Sequence, residues 1–294
     1  MFNQMERSVD MESDHKVLLA VLAHPDDETF GMGGTLALYA RQGVKVFLVC
    51  ATRGEVGEVD PDLLRNFKSI GERREAELRC AAEKLGLSGV FFLDYRDSGM
   101  PGSPENQHPQ ALINAPIDEA AGKVAGIIRQ IKPQVLLTFD PIGGYRHPDH
   151  IHIHQVTVKA FALAGDPNFI LPGLSPFQPQ KLYFHTISHG FLKMAVFFLK
   201  LFGKDPHHFG KNGDIDIASL VEVDFPTHAI IDYRPVARLR EEASNCHESQ
   251  GGQEMNKGIQ RLLSRWFSSR DQYMRAFPPP IKDEKIERDI FAGI

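Results

Sequence analysis

The chain has 294 residues, 42% of them hydrophobic and 24% charged, with a formal net charge of −5. That apolar content excludes an unfolded, solvating chain, and the acidic balance offers nucleic acid no general basic field. Cys50, Cys80 and Cys246 stand far apart and form no CxxC pair, so neither a disulfide framework nor a cysteine zinc site is expected, and a reducing, cytoplasmic setting is the default.

Residues 1–15 mix both charges without an apolar run and read as a frayed terminus, not a signal peptide. Residues 16–22 form a first apolar strand. A helix over 30–42 follows, stopped by Gly43, then a second strand over 44–50. Residues 61–85 carry a long polar helix pattern capped by Gly86, with Gly71 its weak point. The third strand covers 90–94. A loop rich in Gly, Pro and Ser spans 95–115, a helix 116–131, the fourth strand 134–139 and a further helix 149–164. Near-continuous apolar strands alternating with helices indicate a parallel sheet covered on both faces, a Rossmann-like, doubly wound α/β fold.

After Gly165 the pattern is less regular. A strand is expected over 181–186, weaker strands over 220–223 and 229–232, and helices over 234–245 and 259–276. Residues 16–277 read as one domain, with a variable insertion at about 185–217 and a loose tail over 278–294. The longest apolar run, 191–203, contains Lys193 and Lys200. A membrane span needs about 20 apolar residues, so this run reads as a helix packed into the core.

The chemistry sits at two strand ends. The first strand is followed by Ala23-His24-Pro25-Asp26-Asp27-Glu28, the fourth by Asp140 and then Tyr145-Arg146-His147-Pro148-Asp149-His150. With strand order 3-2-1-4-5, strands one and four are neighbours and their carboxyl ends flank the crevice where such sheets bind ligands. A lone histidine there is usually a loop residue, and a lone Asp-Asp usually caps a helix. Both loops converging on one crevice argue instead for a metal held by imidazole and carboxylate, suited to Zn²⁺ and also to Fe²⁺. Such an ion polarises a carbonyl and acidifies water, the means of hydrolysing an amide or ester. His152 and His154 continue into the helix and read as packing residues or as supports behind the ligands. Gly31, Gly33 and Gly34 spell GxGG beside three acids, which disfavours a dinucleotide.

The pairing of AHPDDE with HPDH resembles the PIG-L/LmbE family of metal-dependent N-acetylglucosaminyl deacetylases. The resemblance runs from about residue 16 to 164. It implies that His24, Asp27 and His150 hold Zn²⁺ and that Asp26 is the general base. By the same resemblance His147 stabilises the oxyanion or protonates the leaving amine, Asp149 orients His147, and Tyr145 helps polarise the carbonyl. Arg74, in an Arg-x-x-Glu-Leu helix motif, and Asp97, in a YRDSGM loop, match substrate-binding positions. Arg53 and Glu55 follow the second strand beside the crevice, and His247 lies in a late segment that resembles the family's H-x-S-Q; all three join the candidate substrate set. The implied function is removal of an acyl group from the amine of an N-acetylglucosamine conjugate or related small N-acyl sugar. Rival readings are an amidase of a larger thiol-sugar conjugate, an NAD-binding Rossmann protein and a non-catalytic sugar-binding module. The expected partner is a small molecule, without nucleic acid or a transmembrane segment; homo-oligomerisation is left open.

Overall fold

The computed structural model describes residues 15–208, 213, 215–255 and 269–294; most of the expected terminus over 1–15 therefore lies outside the described residues. Among the described residues seven strands form one sheet: β1 (Val17–Leu22), β2 (Lys45–Cys50), β3 (Gly89–Phe92), β4 (Val135–Phe139), β5 (Lys181–Thr186), β6 (Ala229–Asp232) and β7 (Arg270–Phe277). Their order is β3-β2-β1-β4-β5-β7-β6. The first five run parallel, and β7 is antiparallel to both β5 and β6. Every residue of β1 and β4 is buried, as an apolar run covered on both faces requires. Leu18 pairs with Val135 and Ala20 with Leu137, so the two strands end side by side.

The α-helices of the described residues are α1 (Asp27–Phe30), α2 (Gly33–Arg41), α3 (Ile70–Leu85), α4 (Ile117–Ile131), α5 (Gly143–Arg146), α6 (Pro148–Gly165), α7 (His189–Leu201), α8 (Ile217–Leu220), α9 (Ala237–Cys246) and α10 (Gly252–Met255). α4 packs with α6, while α2 and α3 pack with α9. Among the described residues no helix is long and apolar enough to cross a membrane.

Several expectations need correction. The helix pattern over 61–85 is a 3₁₀ turn, Pro61–Leu64, followed by α3, which begins where the Ser69 hydroxyl accepts the Glu72 N–H at 3.1 Å. Gly71 sits in its first turn, where a Cβ would stand 3.1 Å from Glu55 and 3.3 Å from Arg53. The strand expected over 220–223 meets instead the end of helix α8. The helix expected over 259–276 is contradicted at its C-terminal part, which is β7; residues 256–268 lie outside the described residues. The 191–203 run does form a helix, but of α7 only Leu192 is buried, against Ile217 and Leu220. Phe191, Phe197, Phe198, Leu201 and Phe202 are exposed.

Cys80 on α3 and Cys246 at the end of α9 form a disulfide, with Cα atoms 5.8 Å apart. Adjacent helices bring together what 166 residues of sequence separate, so distance along the sequence, the premise for expecting no disulfide framework and a reducing compartment, does not keep these cysteines apart. The 278–294 segment is not loose. Ile290 and Phe291 are buried, and Glu287 joins the sheet edge through hydrogen bonds with His228 and Ile230.

Candidate metal centre and active site

β1 runs into His24–Glu28 and α1, while β4 runs into α5 and α6, so both acidic, histidine-bearing segments meet beyond the carboxyl ends of two paired strands. His24 Nδ1 lies 3.2 Å from His150 Nε2 and 3.6 Å from Asp27 Oδ2, and His150 Nε2 lies 3.2 Å from Asp27 Oδ1. Ligands about 2.0–2.1 Å from a tetrahedral ion stand roughly 3.3 Å apart. These three buried side chains face one another, Asp27 meeting His24 through Oδ2 and His150 through Oδ1, so they could hold one ion, and their nitrogen and oxygen donors suit zinc or ferrous iron. Single ligand atoms of His24, His147 and His150 lie within 4.8 Å of one another, as do those of His24, Asp97 and Asp149.

The second ring nitrogen of each of the two candidate histidine ligands is tied down. His150 Nδ1 faces the Gly143 carbonyl at 3.2 Å, and His24 Nε2 faces Asp149 Oδ2 at 3.1 Å. Such outer contacts set which ring nitrogen is presented to a metal. Gly143 is required here: its φ is +68°, and a Cβ would lie 2.7 Å from that of His150. The Phe139 ring stacks on His150 with centroids 3.9 Å apart. Asp140 braces the turn by accepting the Ile142 and Gly144 N–H groups at 3.0 and 2.9 Å.

Asp26 adjoins this cluster with φ +127°, a left-handed backbone at a non-glycine residue. Burial pushes its carboxyl up to about 6, against the opposing pull of Arg74. Arg74 is not on a solvated helix face. It is 4% exposed, and its guanidinium donates to Asp26 Oδ2 at 3.1 Å, Pro25 O at 2.8 Å and Gly54 O at 3.0 Å. Gly54, at φ +66°, admits it; a Cβ there would stand 2.0 Å from the guanidinium. Burial opposes charge on Asp27, but His150 and His24 outweigh it and hold the carboxyl well below the usual range.

Burial, reinforced by His24 and His150, pushes the His147 pKa far down, so the ring is neutral. Its Nδ1 accepts the Asp149 backbone N–H at 3.2 Å, which puts the proton on Nε2. Tyr145 stands edge-on to His147 and His150, at 5.9 and 5.0 Å between centroids. Asp97 is buried 3.5 Å from His24 Nε2 and accepts the Gly99 N–H at 2.8 Å; its own N–H donates to Glu55 at 3.1 Å.

The structure thus gathers His24, Asp26, Asp27, Arg74, Asp97, Tyr145, His147, Asp149 and His150, with Glu55 against Asp97. It separates others. Arg53 turns away to Glu75 and Asp94, both at 2.6 Å, over the Phe92 ring. His247 is fully buried against Glu28 at 2.7 Å and has no surface for substrate. The Asp149 carboxylate does not orient His147: it meets His24 and receives two hydrogen bonds from Ser98, so only its backbone serves His147. His154 is a packing residue, bonded to the Phe139 carbonyl at 2.8 Å. Sequence reasoning missed Ser98 and Asp140, and counted Glu28 among the acids of the first loop without giving it a role. The missed signals were weak ones: a serine inside the YRDSGM loop and an acid directly after the fourth strand.

Residues 19–161 match the family model described as PIG-L, GlcNAc-PI de-N-acetylase. A 1D-myo-inositol 2-acetamido-2-deoxy-alpha-D-glucopyranoside deacetylase of Rhodococcus erythropolis is 34% identical over 303 aligned residues, covering 97% of this chain and 99% of that protein. The chain belongs to the PIG-L family. The same-named deacetylase of Thermobifida fusca is 49% identical to this PIG-L chain over 175 residues, which is 56% of this chain and 60% of that protein. Among solved structures, N,N'-diacetylchitobiose deacetylase from Pyrococcus horikoshii shares the fold, with a TM-score of 0.61 at 21% identity over 89% of this PIG-L chain and 84% of that one.

Proposed function

We propose that this PIG-L chain is a metal-dependent hydrolase that removes the acetyl group from the amine of an N-acetylglucosamine conjugate. The observation that carries the reading is the convergence of His24, Asp27 and His150 at 3.2–3.6 Å with Asp26 beside them. The names of the Rhodococcus and Thermobifida relatives, which specify a 2-acetamido sugar joined to inositol, support a polyol as the aglycone.

Zn²⁺, or Fe²⁺, held by His24, Asp27 and His150 would polarise the acyl carbonyl and lower the pKa of water to about 7. Asp26 takes a proton from the attacking water, and its raised pKa suits that exchange near neutral pH. Arg74 aims the carboxylate and favours its ionised form. Neutral His147 donates from Nε2 to the developing oxyanion, beside the Tyr145 hydroxyl. As the C–N bond breaks, the amine leaves with the proton that Asp26 collected. Asp97 and Glu55 offer acceptors to sugar hydroxyls.

Acetate release from a panel of N-acetylglucosaminyl aglycones tests this with metal-reconstituted protein. Asp26→Asn is expected to lower kcat by about 10²–10⁴-fold while bound metal stays stoichiometric. Undiminished turnover in that variant, or no acetate from any aglycone with the wild type, would sink the reading.

A further inference from the structure

Asp26 keeps a backbone that a non-glycine residue adopts only where its surroundings over-determine it. One source is Arg74. The other is Glu28, whose Oε2 accepts the Asp26 N–H at 2.9 Å. Glu28 is itself wholly buried, and its Oε1 receives Thr29 Oγ1 at 2.5 Å and His247 Nε2 at 2.7 Å. A buried carboxylate persists only when paired, and His247, also wholly buried, supplies that partner from 219 residues away in sequence.

His247 is placed from outside the crevice. The segment that carries it is joined to α3 at three points: the Cys80–Cys246 disulfide, the Arg73–Glu248 contact at 3.0 Å, and Ser249, whose N–H and hydroxyl reach Glu77 at 2.9 and 2.6 Å. Each lies within three residues of His247. The chain of contact therefore runs from α3, through His247 and Glu28, to the backbone of Asp26.

We infer that the buried His247–Glu28 pair is a positioning device that holds Asp26 in the posture its proton transfer requires. This rests on the reading of Asp26 as general base. Neither residue touches substrate or is among the candidate metal ligands. Loss of the pair frees the Asp26 N–H and lets the carboxylate shift, and displacement by about 1 Å can cost a reaction 10²-fold. The loss therefore falls on kcat and leaves KM and metal content alone.

Four variants of the full chain test this, assayed for acetate release, KM, and metal by elemental analysis. His247→Leu is expected to lower kcat by about 10–100-fold, with KM and metal stoichiometry unchanged. His247→Gln returns an N–H donor to Glu28 and is expected to recover most of that loss. Glu28→Gln keeps the cluster's shape while weakening both contacts; it should show the same kcat-only loss, and it carries the test if His247→Leu does not fold. Wild-type kcat in Glu28→Gln, a loss that appears only in KM or metal content, or no recovery in His247→Gln relative to a folded His247→Leu overturns the inference. Asp26→Asn separates this from the underlying reading. An inactive Asp26→Asn beside a wild-type-like Glu28→Gln refutes the positioning role alone, whereas a fully active Asp26→Asn refutes the general base itself.

Discussion

At His24, the nitrogen that faces the other donors is Nδ1, and the residue behind that choice is Asp149. Its carboxylate occupies Nε2 at 3.1 Å and is held in turn by the Ser98 N–H at 2.9 Å and hydroxyl at 2.5 Å. Removing the outer partner of a metal-ligating histidine typically costs 10–100-fold in metal affinity. Ser98→Ala, which keeps the backbone bond and loses the hydroxyl, is expected to raise the Zn²⁺ Kd by about 10-fold, measured by competition with a chromophoric chelator. A Kd equal to that of the wild type would show that Asp149 needs no such support. The gathering of His24, Asp26, Asp27, His147 and His150 was legible because each loop is contiguous and follows a strand of unmistakable pattern. Ser98 was not, because a serine between Asp97 and Gly99 reads as turn chemistry wherever it occurs. His247 was misread for a related reason. Its position at a helix end is visible in the sequence, but its pairing with Glu28 in α1, 219 residues earlier, is not.

At the level of elements, β1 to β5 announce themselves and β7 does not. β7 alternates buried and open positions, as a strand should, but its inward side chains include Asp271, Tyr273 and Arg275. Hydrophobic periodicity passes over a strand whose core face is polar. Asp271 has a measurable consequence. Its carboxylate accepts the Thr35 N–H at 2.9 Å and hydroxyl at 2.7 Å at the start of α2. Burial still pushes its pKa up to about 6, although Thr35 and Arg240 oppose the shift. Unfolded, an aspartate titrates near 3.9. Between about pH 4 and 6 the folded chain therefore holds a proton that the unfolded chain has released, and stability falls as pH rises through that window. The two-unit shift corresponds to about 3 kcal/mol lost by pH 7. Asp271→Asn removes the titration, so its stability relative to wild type should be higher at pH 7 than at pH 4.5 by about 2 kcal/mol. Candidate metal ligands titrate in both chains and cancel from the difference. Denaturant unfolding at the two pH values measures it, and a pH-independent difference would contradict the shift.

For the molecule as a whole, the order 3-2-1-4-5 was readable, because right-handed crossovers leave few ways to wind alternating strands and helices. That order alone puts residues 24 and 150 in one crevice. What could not be read was how the chain closes the sheet's other end. The last residues carry one short apolar pair among charges, and only the folded surface shows where that pair goes. Ile290 donates its N–H to the Tyr39 hydroxyl at 2.8 Å, Tyr39 donates to Asp289 at 2.8 Å, and the centre of the Phe291 ring lies 5.3 Å from that of Tyr39 and 5.1 Å from the Lys16 ammonium. Lys16 precedes β1 whereas the crevice follows it, so this seal lies at the opposite end of the sheet from the site. Burying Ile290 and Phe291 contributes roughly 1.5–3 kcal/mol each. At about 2–4 °C per kcal/mol for a chain near this size, truncation after Arg288 is expected to lower Tm by about 10 °C. Because Glu287 stays, the contacts with Lys181 and Arg275 at 2.7 and 2.9 Å remain. Calorimetry on the truncated chain, paired with kcat/KM well below its transition, separates stability from function. The expected pattern is a depressed Tm with unchanged kcat/KM. An unchanged Tm would mean the terminal pair does not seal the core, and a loss of kcat/KM in folded protein would mean the seal and the crevice are coupled across the sheet.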